Sequence, residues 1–248
     1  MGYSYEPIEI EGKIRISPSS IYTAFDNPAS WYRANVEGKK EKPNVNLIFG
    51  TCIHNRIESY FNQEEFIDNE FEFLETQKDI VLDEWKFMNE LEATWTITKE
   101  HLKQCVKPRV MEGKLFYEPK SNQDVFIGGT FDYIYQDTLG DYKSCNSLPS
   151  SIKTHHKFQV YLYAWIYNLT NSDKINNIEL TYILKHDQGK ISEKTGKVIG
   201  VKQAEVRVFK EPIEEEYMNY VMDNVKRLAE RISLVKANPD LKDIIFYN

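Results

Sequence analysis

"GGTFDYIYQDTLGDYKS", residues 128–144, places two aspartates and a lysine within one apparent β-hairpin. Aromatic and β-branched residues dominate both arms, which is the composition of paired strands. In a strand, residues two apart share a face, so Asp141 and Lys143 point together while Tyr142 points away. Asp132 lies opposite Asp141 if the turn is centred on Gln136 and Asp137; Gly140 offers an alternative turn further along. Charges in a sheet are costly unless they are paired or hold a metal. The hairpin is therefore either an Asp–Lys ladder or a hard-oxygen site suited to Mg²⁺ or Mn²⁺.

Outward from the hairpin, the chain divides into two kinds of sequence. Before residue 108 the pattern is mainly helical. Ser17 followed by Pro18 reads as a helix start over "ISPSSIYTAF". "NLIFGTCIHNRIESYF" has apolar residues at 47, 48, 53, 57, 60 and 61, a helical spacing. Residues 76–105 predict one or two more helices. After Pro108, "VMEGKLFYE", "DVFIGGTFDYIYQ" and "DYKSCN" read as successive strands. "IKTHHKFQVYLYAWIYNLT" returns to a helix. "NNIELTYILK" and "KQAEVRVFK" are strands joined by a Gly- and Lys-containing hairpin. A closing amphipathic helix follows, with Pro212 at its start. The expected fold is one α/β domain over 1–248: a helical part to about 107, then a mixed central sheet flanked by helices.

Composition narrows the function classes. The 248 residues are 41% hydrophobic and 28% charged, ordinary for a globular chain. No run of about 18 apolar residues predicts a membrane span, and the N-terminus lacks the apolar core of a signal peptide, so a cytoplasmic protein is expected. Cys52, Cys105 and Cys145 have no metal-ligand spacing, which argues against zinc and iron–sulfur sites. A net charge of −7 excludes a generally basic nucleic-acid binder, so any such contact must be local. Two basic stretches qualify: Arg33, Lys39, Lys40 and Lys42, and the later Lys185, Lys190, Lys194, Lys197 and Lys202.

The order "GGTFD", "DYK", "FQVYLY" resembles the PD-(D/E)XK nuclease superfamily, specifically its RecB-like branch with a Q-x-x-x-Y helix. "FGTCIHNRIESYF" is similar to that branch's histidine-bearing helix, and "ISPSSIYTAFDNPASWY" to its opening segment. The resemblance spans about residues 16–170 and implies a restriction-endonuclease-like core. It implies that Asp132 and Asp141 ligate a divalent cation, Mg²⁺ or Mn²⁺, with the backbone carbonyl of Tyr142 and with His54. Glu58, one helical turn after His54, joins them as a second-metal ligand or as the residue that orients the histidine; Glu118 is a weaker candidate. Lys143 would position the attacking water, and Gln159 and Tyr163 would contact the phosphate backbone or brace the site. His155 and His156 are expected at the surface or on DNA. The three cysteines cannot supply the iron–sulfur cluster of some relatives. The implied activity is a DNA exonuclease of recombination, repair or phage DNA processing, with DNA and a recombination protein as partners. A structure-specific endonuclease or resolvase, or a non-catalytic DNA-end-binding subunit, are the alternatives.

Overall fold

A two-residue turn at Gln136–Asp137 closes the hairpin that the alternation predicts. In the computed structural model, which describes residues 10–39, 42–64 and 67–247, β3 (Val125–Tyr135) and β4 (Thr138–Cys145) pair antiparallel as Tyr133↔Gly140, Ile134↔Leu139 and Tyr135↔Thr138. That register, carried one step on, sets Asp132 opposite Asp141, but the ladder stops there and the strands part.

The reason lies in what else β3 must pair with. Its far edge carries β2 (Val110–Tyr117), matched from Tyr117↔Ile127 to Val110↔Ile134. Its near edge is shared: β1 (Ile14–Ile16) lies parallel to Val125–Ile127, and β4 takes the other end. Between them Gly128–Asp132 faces an opening. β4 leaves β3 to pair in parallel with β5 (Asn177–Leu184), and β5 pairs antiparallel with β8 (Glu205–Pro212). The mixed sheet thus has a V-shaped gap in its middle. The short β6 (Lys190–Ile191) and β7 (Val198–Ile199) form a separate arm between β5 and β8.

Helices cover both faces. On one side α3 (Val45–Asn62) and α5 (Glu84–Leu102) bury Ile53, Ile57, Leu91 and Trp95 against Tyr133, Tyr142 and Ile183. On the other, α6 (Thr154–Thr170) and α7 (Glu215–Ala237) pack Phe158, Leu162, Leu228 and Ile232 against Ile134, Leu139 and Leu180. The short α1 (Thr23–Asp26) and α2 (Pro28–Asn35) join this second core, where Trp31 stacks on Phe246 of the C-terminal α8 (Lys242–Phe246). Each such side chain contributes about 1.5–3 kcal/mol by leaving water. Asn44 caps α3 by accepting from the Asn46 and Leu47 amides. α3 is tied to its neighbours by Arg56, whose buried guanidinium donates to Glu70 of α4 (Ile67–Thr76) and to Glu92 of α5, at 2.6–2.8 Å. Among the described residues no helix is long and apolar enough to cross a membrane.

Two expectations need correction, and one element was not expected. Residues 18–22 form consecutive turns, with Ser20 and Ile21 amides bonded to the Ser17 carbonyl, and the helix begins only at Thr23. Ser17 bonds to Ser19 through its hydroxyl and so does not act as a cap. Pro212 ends β8, where the edge strand needs no amide from it, and α7 starts at Glu215. Finally, α4 lies in a stretch for which the sequence reading named no element.

Candidate active site

Where β3 and β4 part, four elements converge. Asp132 and Asp141 are 6% and 1% exposed. The strand separation leaves the Tyr142 amide without a ladder partner, and it donates instead to Asp132 Oδ2 at 2.6 Å. His54, on α3, brings Nδ1 to 3.5 Å from the same oxygen. From α6, Gln159 donates through Nε2 to Asp141 Oδ1 at 3.1 Å. Lys143 Nζ stands 2.6 Å from Asp141 Oδ2, an ion pair without hydrogen-bond alignment. Tyr163, one helical turn beyond Gln159, lays its hydroxyl against Gly129, where a Cβ would come within 2.6 Å of it. Only glycine admits that approach.

A residue absent from the sequence reading completes the cluster. Glu112 lies on β2 in the register position facing Asp132, between the paired Met111↔Tyr133 and Gly113↔Phe131. Its backbone is left-handed, with φ of 48°, a conformation that costs a non-glycine residue on the order of 1–3 kcal/mol. One ligand atom from each of His54, Glu112 and Asp132 falls within 4.8 Å of the others, the one such group among the described residues. Glu118, the candidate just past the end of β2, instead pairs with Lys13.

The electrostatics explain why these acids are poised. Burial first, then repulsion from Asp132, Glu58 and Asp141, pushes the Glu112 carboxyl well above the usual range. Burial and Asp132 raise Asp141, against the pull of Lys143 and His54. Glu58 is half-buried and raised by desolvation. Burial disfavours the Lys143 ammonium, but Asp141 and Asp132 overcome this and hold it charged. A site that crowds anions together and keeps them from water is one a divalent cation would relieve. Carboxylate oxygens with one imidazole suit a hard or borderline cation.

Beside the carboxylates is a second hollow, about 210 Å³, lined by Arg15, Ser17, Ser19, Gly129, Thr130, Gln159 and Tyr163. The buried Thr130 hydroxyl has no hydrogen-bond partner.

Other expected contacts fall elsewhere. Arg33 lies over the Tyr247 ring, and the exposed Lys39 pairs with its near neighbour Glu37. Lys42 is exposed, and Lys40 lies outside the described residues. His155 is exposed as expected. His156 is half-buried: its Nδ1 sits 2.9 Å from the Tyr182 hydroxyl, and burial pushes its pKa down to about 2. Neither Glu112 nor the hollow follows a local motif, but an acid inside the strand run "VMEGKLFY" is the one signal that could have drawn attention.

The sequence profile of the PD-(D/E)XK nuclease superfamily matches residues 15–241. The chain belongs to that superfamily. Its nuclease fold recurs in a protein from Eubacterium rectale provisionally described as an exonuclease, 11% identical, with a TM-score of 0.56 over 91% of this chain and 82% of that one. A phage-related exonuclease from Haemophilus somnus 129PT, 12% identical, covers 91% of this chain and 96% of its own at a TM-score of 0.40. No curated protein matches the sequence. Superfamily members use divalent metals, and His54, Glu112 and Asp132 form a donor set that fits one.

Proposed function

We propose that the chain is a divalent-metal-dependent DNA nuclease of the RecB-like type, an exonuclease acting on DNA ends in recombination, repair or phage DNA processing. The observation that carries this reading is the row Glu112–Asp132–Asp141, running across three strands and flanked by Lys143 and Gln159. His54, Glu112, Asp132 and Asp141 would hold Mg²⁺ or Mn²⁺, with Glu58 behind them. When bound, the cation supplies Lewis-acid stabilisation of charge on the phosphoryl oxygens and acidifies water.

The chain's own groups do the rest. Lys143, charged at neutral pH, would hydrogen-bond the attacking water and offset negative charge as its oxygen bonds to phosphorus. The attacking water gives up a proton to solvent, the bond from phosphorus to the sugar oxygen breaks, and that oxygen takes a proton from solvent. Gln159 fixes the Asp141 carboxylate so that Lys143 has one geometry. The hollow with Arg15, Ser17, Ser19 and the unpartnered Thr130 hydroxyl has the donors that a terminal phosphate needs. This favours attack at an end over attack within a strand.

The test is to incubate linear, nicked and closed-circular DNA with and without Mn²⁺. Stepwise loss of nucleotides from linear DNA alone is expected. Cutting of closed circles would assign an endonuclease, and retention without cleavage an end-binding subunit.

A further inference from the structure

One piece of the chain belongs to neither core. β4 and β5 run side by side as far as Cys145↔Leu184, so β5 ends at the same edge of the sheet as the strand bearing Lys143. From that edge residues 185–202 form an arm, in which β6 and β7 pair as Lys190↔Ile199 and Ile191↔Val198. Its base is tied to the end of β4: the Lys185 amide donates to the Cys145 carbonyl, and Lys202 Nζ to the Asn146 carbonyl. Asn146 is three residues past Lys143, no more than roughly 10 Å along an extended chain.

We propose that this arm seats in the major groove of duplex DNA and grips it beside the site, with Lys190, Lys194 and Lys197 on the phosphates. The proposal rests on the nuclease reading above and deepens it by assigning where the duplex is held.

Three observations carry it. First, the arm's charge opposes that of the whole chain. Residues 185–202 hold five lysines against Asp187 and Glu193, a net +3 within a chain of −7. Lys185 and Lys202 are engaged at the base, the former beside Glu90 and over the Phe49 ring. Asp187 accepts from the Gly189 amide. Lys190, Lys194 and Lys197 are exposed and form no ion pair among the described residues. Three such lysines together give an acidic chain the local positive potential that a polyanion needs.

Second, neither face of the ribbon is covered. Cross-strand partners share a face, so Ile191 and Val198 stand together, 70% and 59% exposed. Lys190 and Ile199 stand on the other face, both exposed. A lone two-stranded ribbon is marginally stable by itself, and exposed apolar groups gathered in one place mark a binding surface. The major groove, about 12 Å wide, admits a two-stranded ribbon and offers thymine methyls to apolar side chains. Its walls are phosphate backbones, which the lysines can meet. A single strand has no groove, so a duplex is the occupant.

Third, the arm is shaped in advance. The Asp187 and Lys202 backbones exchange hydrogen bonds of 3.0 and 2.9 Å, and the Gly196 amide closes the tip on the Ser192 carbonyl. Gly189, at φ 77°, lets the Ile199 carbonyl approach where a Cβ would come within 2.4 Å of it. From α5, Lys86 reaches the Gly189 carbonyl, and the Thr94 hydroxyl accepts from the His186 amide. A ribbon ordered before DNA arrives lowers the ordering cost of binding.

The experiment is fluorescence anisotropy of a labelled hairpin duplex and of labelled oligothymidylate, with the full chain in EDTA so that nothing is cut. Replacing Lys190, Lys194 and Lys197 with Gln should flatten the slope of log K against log salt on duplex by up to about 3, roughly 0.9 per phosphate contact. Ile191→Ser combined with Val198→Ser should weaken duplex binding about fivefold and leave the slope alone. All five positions are exposed, and an unchanged Tm will show that the variants fold. An unchanged slope in the lysine variant overturns the proposal, as does unchanged affinity in the apolar one. So does a loss as large on oligothymidylate as on duplex, or a homodimer that buries the arm and persists with DNA. The two readings fail separately. A parent chain that cuts DNA with Mn²⁺ while both variants bind as it does removes the arm alone. A parent that never cuts, with variants that bind duplex weakly, removes the nuclease and keeps the arm.

Discussion

The two ends of the β3–β4 hairpin obey opposite rules. At the closed end Tyr133, Ile134 and Tyr135 are paired, packed and stacked, with the Tyr133 and Tyr135 hydroxyls donating to Glu179 at 2.8 and 2.6 Å. At the open end, two residues away, buried carboxylates face one another, an ammonium is half-buried and a glutamate sits in a left-handed backbone. The first end holds the sheet together; the second holds charges that the sheet would be more stable without. Consistency between sequence and local structure builds a fold, and the places that break it are where function is found.

Substitutions at either end separate these roles. The largest effect is expected from Asp132→Asn, which keeps an oxygen to accept from the Tyr142 amide but removes the anion beside Glu112 and Asp141. Cleavage of linear DNA should fall by at least about a thousandfold, while Tm holds or rises. A variant that still cuts would remove Asp132 from the chemistry. The converse change is Gly140→Ala at the closed end. A Cβ there would come within 2.0–2.4 Å of the Tyr133 ring, so the ring must shift, at about 1–3 kcal/mol. Urea denaturation should show that loss, with cleavage by the folded fraction retained.

Glu112→Gln sharpens the contrast through pH. A carboxyl whose folded pKa is raised adds stability while it stays protonated, and that stability is lost as pH rises through the folded value. The metal-free parent should therefore lose Tm as pH climbs from the ordinary carboxylate range, and the glutamine variant should lose less. Mn²⁺ should raise the parent's Tm at pH 8 more than the variant's, since it binds only the folded site. An identical Tm-against-pH curve for both would mean that Glu112 is not the strained acid. The smallest effect is at the turn itself. Gln136 has φ of 49°, so Gln136→Gly should stabilise by a few tenths to about 1 kcal/mol without altering cleavage.

How much of this was legible follows the range of each interaction. The alternation of β3 and β4 and a two-residue turn are local, so the facing of Asp132 and Asp141 could be read from a dozen residues. The pairing of Gln159 with Asp141 needed a family pattern, because nothing local says which strand a helix crosses. Glu112 was missed because its role depends on the register of β2 against β3. Sequence proximity drew attention instead to Glu118, which the sheet carries away to Lys13. The surroundings of the basic loop at 33–42 could not be read locally: Arg33 meets Tyr247 and Glu37 meets Lys242, partners more than two hundred residues distant. A lysine's surroundings are a tertiary fact, and charge counting along the chain cannot supply them.

The docking of β1 beside β4 on one edge of β3 has a consequence for how the protein comes into being. Ile14–Ile16 pairs with residues more than a hundred positions later, a large loop to close and therefore a slow contact to form. Arg15, Ser17 and Ser19 reach the cleft only once that strand is seated. A chain emerging from the ribosome thus carries Arg15, Ser17 and Ser19 first, yet cannot bring them to the hollow until the strands that bear the carboxylates have followed. The order of synthesis itself delays the competence of the site until the central sheet exists.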